Sequence, residues 1–155
     1  VHVLHGTATF ELAPPDAAEM MWRMRAISGE GRPWCVAVRD TRIVGYAYAG
    51  PYRPRPAYCF TTEDSIYLAA DALGQGTGRR LLEALIDVCT RRGDRQMIAV
   101  IGDAENAASV GVHAAAGFRH AGTLEKVGRK FGRWIDVLLM QRALGEGADT
   151  AVDDA

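Results

Sequence analysis

The chain has 155 residues, enough for one domain with a buried core, and its 48% hydrophobic and 24% charged content is typical of a globular protein. A formal net charge of −1 gives no overall attraction to nucleic acid or to anionic membranes, and no apolar run approaches the roughly 18 residues of a membrane span, so neither partner is expected. Three widely spaced cysteines, each in an apolar run and none with metal-ligand spacing, predict reduced thiols, no metal site and a cytoplasmic location.

The first half of the chain predicts a helix followed by a β-hairpin. Residues 1–11 fit the end of a helix that runs into an extended piece. The Pro-Pro-Asp sequence at 14–16 is a helix-start signal, and Met20, Met21, Met24 and Ile27 then recur at helical spacing until Gly29. We expect these methionines in the core. Two β-rich runs, 34–38 and 42–49, predict the hairpin.

The middle of the chain alternates strands and helices. After a loop with three prolines, the run 58–68 predicts a long strand. An apolar stripe at helical spacing predicts a helix that begins near Thr77 and ends before Gly93. The almost unbroken apolar run 96–101 predicts a central strand buried on both faces, and 106–116 predicts a second helix.

The last third predicts two strands and a tail. Strands at 118–124 and 131–141 are expected to be joined by a basic turn at 126–130. The tail, 145–155, is small and acidic and is expected to be flexible, which leaves 1–144 as a single domain. The order of elements predicts an α+β fold, a mixed α/β layer with one sheet.

A glycine-rich turn lies between the long strand and the helix that follows it. Gly74, Gly76 and Gly78 keep side chains away from the turn, and two arginines follow where the helix begins. Backbone N–H groups at such a turn, with the positive end of the helix dipole, suit a phosphate. A tight turn that needs glycine only for its backbone angles explains the same pattern equally well. The turn completes neither a P-loop nor a dinucleotide fingerprint.

Several segments resemble one family. The stretch LGQGTG at 73–78 resembles the acyl-CoA pyrophosphate motif of the GNAT superfamily of N-acetyltransferases, Gln/Arg-x-x-Gly-x-Gly/Ala, although Leu73 departs from its first position. The segment AENAASVGVHAAAGF at 104–118 resembles the family's Asn-x-x-Ser-x-x-x-Tyr/His-x-x-x-Gly-Phe. YAYAGPYRPRPAY, TTEDSIYL and FGRWIDVLLMQ are similar to the group of phosphinothricin and methionine sulfoximine or sulfone acetyltransferases, and the resemblance covers nearly all of 33–144.

The resemblance implies a fold and a reaction. It implies a central, mostly antiparallel twisted sheet with splayed central strands and flanking helices, and a homodimer. A first strand and part of the first helix would precede residue 1. The implied reaction is direct transfer of acetyl from acetyl-CoA to a small amino-acid-like amine.

The resemblance also implies roles for particular residues. Glu63 would be the base, His113 the acid towards sulfur or an orienting group, and a backbone N–H of Tyr67 or Leu68 the oxyanion donor. Acetyl-CoA would contact Ile66, Tyr67, Leu68, Leu73, Gly74, Gln75, Gly76, Thr77, Gly78, Arg79, Asn106, Ser109 and His113. The acceptor would contact Phe10, Tyr58, Phe60, Glu63, Lys130, Arg133 and Trp134. Asp64 is expected on the face opposite Glu63 and therefore outside the base role.

Other interpretations stay open at this point. Glu63 also fits a solvated carboxylate at a strand edge, Asn106 a helix N-cap and His113 an ordinary helix residue. The enzyme alternative is a GNAT protein that acts on another amine, either a protein N-terminus or a polyamine. A non-catalytic module that binds acyl-CoA is the alternative from another class, and assays of thiol release would separate it from an enzyme.

Overall fold

The structure is a computed structural model that describes residues 2–7, 9–103 and 106–152. Its elements are α1 (His2–His5), α2 (Ala17–Gly29), β1 (Trp34–Arg39), β2 (Arg42–Pro51), β3 (Thr61–Leu68), α3 (Thr77–Arg92), β4 (Gln96–Gly102), α4 (Ala107–Ala115), β5 (Arg119–Lys130) and β6 (Arg133–Ala143). Short 3-10 turns, Pro56–Tyr58 and Ala70–Ala72, flank β3. No described helix is both long enough and apolar enough to cross a bilayer.

The six strands form one sheet in the order β1-β2-β3-β4-β6-β5. Every neighbouring pair is antiparallel except β3 and β4, which are parallel. The last paired residues of these two strands are Asp64 and Ala99, although β3 continues to Leu68 and β4 to Gly102. The two central strands therefore separate at their C-terminal ends. These findings confirm the predicted α+β class, the mostly antiparallel sheet and the splay.

The core lies between α3 and one face of the sheet. The apolar stripe of α3 is buried because its members recur every three or four residues on one side of the helix: Leu81, Leu82, Leu85, Ile86 and Cys89. Ala47 and Ala49 on β2 are fully buried beneath this stripe, and their small side chains let the helix approach the sheet closely. Tyr46, Tyr48 and Gly50 alternate with these alanines and face the other side, where Ile27 of α2 packs over Gly50.

The methionines of α2 are not core residues, which corrects the expectation for Met20, Met21 and Met24. No residue of α2 is buried, and Met21 and Met24 are 45% and 41% exposed. The helix packs against β1 and β2, at the edge of the sheet, and within the described residues no further layer covers its outer side. Helical spacing therefore identified the helix, but it did not determine how deeply the helix is buried.

Two strand boundaries also differ from the prediction. The strand expected at 58–68 begins at Thr61, because Pro56 fixes its own φ and lacks an N–H, and the chain forms a 3-10 turn there instead. The basic run 126–130 is not a turn but continues β5 after an irregularity in the pairing. The turn itself is Phe131 and Gly132, whose positive φ angles of 50° and 75° suit a two-residue hairpin connection.

The first residues of the predicted tail form turns and contact the rest of the domain. Residues 145–148 form turns after the buried Leu144, and Gly147 is buried. Glu146 lies 3.6 Å from Arg95, which precedes β4. Residues 153–155 of the predicted tail lie outside the described residues.

Candidate active site

A cavity of about 560 Å³ lies where β3 and β4 separate. Its walls come from the C-terminal half of β3, the glycine turn, the start of α3, the end of β4 and α4. All the residues predicted to contact acetyl-CoA line it except Gln75 and Thr77, namely Ile66, Tyr67, Leu68, Leu73, Gly74, Gly76, Gly78, Arg79, Asn106, Ser109 and His113. The splay thus brings together two segments that are separated by about thirty residues of chain.

The glycine turn presents backbone to this cavity. Gly74 and Gly76 have φ angles of 70° and 76°, a left-handed conformation that favours glycine, and no atom lies within 4 Å of the position of an added Cβ. Gly76 is the N-cap residue of α3, but it has no side chain to accept hydrogen bonds from the first N–H groups of the helix. Open space, backbone donors and the positive end of a helix dipole together suit a phosphate group.

The side chains of the turn have structural contacts. Gln75 accepts a hydrogen bond from Arg39 at 3.0 Å and donates one to the carbonyl of Asp71 at 2.7 Å, which ties the turn to the β1–β2 hairpin. Arg79 donates to Glu83, one turn further along α3. A Cβ on Gly78 would lie 3.0 Å from Leu68, so glycine there permits α3 to pack closely on β3.

His113 is held inside the cavity wall by hydrogen bonds from both ring nitrogens. Nδ1 lies 2.7 Å from the carbonyl oxygen of Ser109, and Nε2 lies 3.0 Å from Oδ2 of Asp64. The ring of Phe118 packs edge-on against the imidazole at 5.0 Å between centroids. Burial lowers the pKa of His113, but the hydrogen bond and negative charge of Asp64, with the Ser109 carbonyl, outweigh burial and raise the pKa above its ordinary value.

Asp64 was missed by sequence reasoning as a site residue. The alternation of β3 correctly placed it on the face opposite Glu63, and that face is where it contacts His113, 49 positions further along the chain. No pattern in the sequence predicts that contact. Asn106, in contrast, is the predicted N-cap of α4, since its Oδ1 accepts from the N–H of Ser109 at 3.2 Å.

Glu63 lies on the α2 face of the sheet and is half-buried. Its strand neighbours are Gly50 on β2 and Ile98 on β4. Burial is the main cause that raises the pKa of Glu63 above the ordinary value, and the charge of Asp64 adds to it, while the positive charge of Arg53 opposes both. Arg53 is an exposed residue that sequence reasoning did not select, and its charge opposes the rise in the pKa of Glu63.

The loop before α2 is attached to the C-terminal hairpin. Phe10 packs directly over Gly128, where an added Cβ would lie 1.9 Å from the ring. The buried Lys130 donates from Nζ to the carbonyl oxygen of Thr9 at 2.7 Å, and Thr7 donates to Asp103 at 2.5 Å. Lys130 thus fixes the loop, and its ammonium is engaged by that contact.

The other residues predicted for the acceptor are dispersed. Tyr58 lies in the 3-10 turn with its ring edge-on to Tyr52. Phe60 lies at the start of β3, beside Thr90 and Leu144, at the opposite end of the strand from the cavity. Arg133 and Trp134 are exposed at the tip of the β5–β6 hairpin.

A second cavity, of about 650 Å³, lies on the α2 face. Its floor is a row of stacked rings from β1, β2 and β3: Trp34, Tyr46, Tyr48 and Tyr67. Tyr67 and Leu68 line both cavities. Groups on opposite faces of the sheet can therefore approach each other at the C-terminal end of β3.

The arrangement combines a turn that suits an anion with two titratable groups. Glu63 and His113 lie on opposite faces of the sheet. The gap between β3 and β4 is the opening that connects these two faces. A carboxylate with a raised pKa suits a base, and a protonated imidazole suits an acid. Among the described residues, no three His, Cys, Asp or Glu side chains are grouped to hold a metal ion.

Comparisons with known proteins agree with this geometry. The profile of the acetyltransferase (GNAT) family matches residues 3–118. The chain is 56% identical over 149 residues to a phosphinothricin N-acetyltransferase of Alcaligenes faecalis, a match that covers 96% of this chain and 76% of the relative. It is 38% identical over 136 residues to an L-methionine sulfoximine/L-methionine sulfone acetyltransferase of Pseudomonas paraeruginosa, covering 87% of this chain and 78% of that relative.

The fold also matches a solved structure. The crystal structure of a GNAT superfamily phosphinothricin acetyltransferase from Sinorhizobium meliloti in complex with AcCoA superimposes with a TM-score of 0.94 and 47% sequence identity. That match covers 99% of this chain and 83% of the other.

Proposed function

Because the chain belongs to the GNAT family of acetyltransferases, we propose that it transfers acetyl from acetyl-CoA to the amino group of a small amino-acid-like substrate. The proposed acceptors are of the phosphinothricin, methionine sulfoximine or methionine sulfone type. The 56% identity to a phosphinothricin N-acetyltransferase over 96% of this chain supports the acceptor class. The observation on which the proposal chiefly rests is that the glycine turn, the gap after Asp64 and His113 share one cavity.

The cavity fits acetyl-CoA. The turn at Gly74 and Gly76 has room for a pyrophosphate beside uncrowded backbone, and Arg79, whose guanidinium pairs with Glu83, lies at the rim. Asn106 and Ser109 line the wall that a pantetheine arm would follow into the gap. When bound, acetyl-CoA supplies the acetyl group as a thioester, which an amine can attack directly.

Glu63 is the proposed base. An alkyl ammonium has a pKa near 10 and cannot attack until it loses a proton, so a carboxylate on the acceptor side is useful near neutral pH. Glu63 lies on the face opposite the glycine turn, half-buried, with a raised pKa. It takes the ammonium proton before attack, and the nitrogen gives its second proton to solvent after the new bond to carbon has formed.

His113 is the proposed acid. As the bond between carbon and sulfur breaks, the sulfur leaves with the electron pair, and the His113 imidazolium in the cavity wall is the proposed source of the proton that the sulfur takes. Protons therefore balance: the acceptor nitrogen loses two, one to Glu63 and one to solvent, and the sulfur gains one from His113. The role of oxyanion donor stays a prediction for the backbone N–H groups of Tyr67 and Leu68.

Arg53 is the proposed partner of the acceptor's carboxylate. An amino-acid-like acceptor carries an anion close to its amine, and the positive charge of Arg53 lowers the pKa of Glu63. A carboxylate bound to Arg53 would bring the amine towards Glu63. Lys130 does not supply this contact, because its ammonium is buried and bound to Thr9.

We also infer a homodimer in the cytoplasm. Large apolar side chains are exposed near the tip of the β5–β6 hairpin, where Val127, Phe131 and Trp134 are each more than half exposed. Three reduced cysteines agree with a reducing compartment. Sedimentation at micromolar concentration tests the dimer, and a monomer there would contradict it.

The decisive experiment is an acceptor screen. The purified chain is mixed with acetyl-CoA and, separately, with phosphinothricin, methionine sulfoximine, methionine sulfone, a polyamine and a peptide with a free N-terminus, and thiol release is measured. We expect the highest kcat/KM with the first three. A polyamine or a peptide as the best acceptor would replace the proposed substrate class. Acetyl-CoA binding by calorimetry without any thiol release would favour a non-catalytic binding module.

A further inference from the structure

Asp64 and His113 form a contact that is closed to solvent. Their side chains are 1% and 3% exposed, and Nε2 of the imidazole lies 3.0 Å from Oδ2 of the carboxylate. The second carboxylate oxygen, Oδ1, is buried without a hydrogen-bond partner among the described residues. His113 is therefore the described group that is placed to compensate a charge on Asp64.

The hydrogen bonds of His113 determine where its protons lie. Nδ1 is 2.7 Å from the carbonyl oxygen of Ser109, which can only accept, so Nδ1 must carry a hydrogen. Nε2 faces the carboxylate of Asp64, which accepts when it is ionised. If Asp64 is ionised, Nε2 must carry a hydrogen as well, and the ring is then an imidazolium.

We propose that Asp64 is a positioning residue for acetyl transfer, which orients His113 and keeps both of its ring nitrogens protonated. The link to acetyl transfer rests on the proposed function, whereas the protonation of His113 can be measured without it. Asp64 acts through His113 and needs no contact with either substrate.

The reaction explains why such a partner is useful. The acceptor amine is neutral only towards alkaline pH, where an ordinary imidazole, with a pKa of about 6.5, has already lost its second proton. Burial alone would make this loss easier, and the negative charge of Asp64 reverses that effect. His113 then keeps an acidic proton under conditions in which Glu63 is ionised and amines begin to react.

The groups around the imidazole are consistent with this role. On β3 the contacting charge is Asp64, on α4 the contact is the Ser109 carbonyl, and from the segment after α4 the contact is the ring of Phe118. Glu63, the next carboxylate on β3, lies on the opposite face of the sheet.

The test is an NMR titration of the imidazole nitrogens of His113 in the wild type and in Asp64→Asn, without ligands. We expect both nitrogens of the wild type to be protonated at neutral pH. Asparagine has nearly the same shape but no charge, and its amide can donate to Nε2. The variant should therefore contain the neutral imidazole with its hydrogen on Nδ1, and its titration should move to lower pH.

Asp94→Asn is the matched control, because Asp94 is also buried but pairs with Arg92 at the far end of α3. It should leave the His113 titration unchanged. A neutral His113 in the wild type at neutral pH would overturn the proposal, whether or not the variant folds, and so would an identical titration in Asp64→Asn.

Kinetics then separate positioning from the proposed reaction. With the best acceptor from the screen, Asp64→Asn should lower kcat about tenfold at alkaline pH and much less at acidic pH, with KM for acetyl-CoA nearly unchanged. An equal loss at every pH would mean a structural role only and would contradict positioning. Absence of acetyl transfer by the wild type would instead reject the proposed function. The NMR titration would still show whether Asp64 keeps His113 protonated.

Discussion

Glu63 and Asp64 are consecutive residues of β3, and their carboxylates lie on opposite faces of the sheet. Asp64 is buried against His113 on the side of α3 and α4, while Glu63 is half-buried on the side of α2. One strand therefore delivers a carboxylate to each face, immediately before the position at which β3 separates from β4. In the proposed mechanism, this placement would let two acids with different environments serve one reaction.

Replacement of Glu63 by glutamine should remove the base with little change of shape. We expect kcat to fall about a hundredfold or more near neutral pH, while the affinity for acetyl-CoA, measured by calorimetry, stays within a few-fold. Glu146→Gln is the control, because Glu146 is exposed and pairs with Arg95 at the opposite end of β4. Unchanged turnover in Glu63→Gln would remove Glu63 as the base.

The pH profile of kcat/KM should be bell-shaped. Glu63 works when deprotonated and its pKa is raised, so activity should rise as pH increases through a value above that of an ordinary glutamate. His113 works when protonated and its pKa is also raised, so activity should fall only as pH increases beyond that of an ordinary histidine. A profile without an acid limb, after correction for titration of the acceptor, would contradict the role of Glu63.

Arg53→Met should change both the profile and acceptor binding. The charge of Arg53 lowers the pKa of Glu63, so its loss should move the acid limb to higher pH. The KM for an amino-acid acceptor should rise about tenfold or more, since a charged hydrogen bond to carboxylate is lost. Arg55→Met, in the same exposed loop, is the control. Equal effects of the two substitutions would show that neither arginine is specific.

Gly76→Ala should weaken acetyl-CoA binding. Alanine in a left-handed conformation costs about 1–2 kcal/mol, and its methyl group would project into open space at the turn. Gly93→Ala is matched, because Gly93 is also left-handed and uncrowded but ends α3 instead of starting it. Both should lower Tm, and only Gly76→Ala should lower affinity in calorimetry. Equal affinity in both variants would argue against a phosphate at the turn.

Gly128→Ala should displace the loop that carries Phe10. The added methyl group would overlap the ring of Phe10, so the loop must move. We expect a higher KM for the acceptor and an unchanged affinity for acetyl-CoA. Gly122→Ala, earlier in β5, is the control, since nothing lies within 4 Å of its added Cβ. If Gly128→Ala left acceptor KM unchanged, this loop would have no part in the acceptor site.

Local patterns predicted most of the elements. The apolar stripe from Leu81 to Cys89 predicted α3, because a helix with one buried face carries apolar residues every three or four positions. The glycines at 73–78 also predicted a turn, and Asn106 predicted a helix N-cap, since turns and caps require particular residue types. The alternation of side chains along a strand predicted that Glu63 and Asp64 lie on opposite faces of the sheet.

The remaining features depend on contacts between distant parts of the chain. The pair of Asp64 and His113 joins positions 49 apart, and Lys130 contacts Thr9 across 121 positions. The loop position of Arg53 gives no sign that it acts on Glu63. Exposure of the methionines on α2 likewise depends on what packs against the helix and not on its own periodicity.

The parallel border between β3 and β4 consists of four register pairs, which run from Thr61 with Gln96 to Asp64 with Ala99. The sheet is therefore two three-stranded halves joined at one end, and no backbone pair between β3 and β4 holds them together at the open end. A molecule bound in the gap contacts both halves and adds its binding free energy to their association. Thr62 is fully buried in this border, so a substitution there would weaken the association of the two halves.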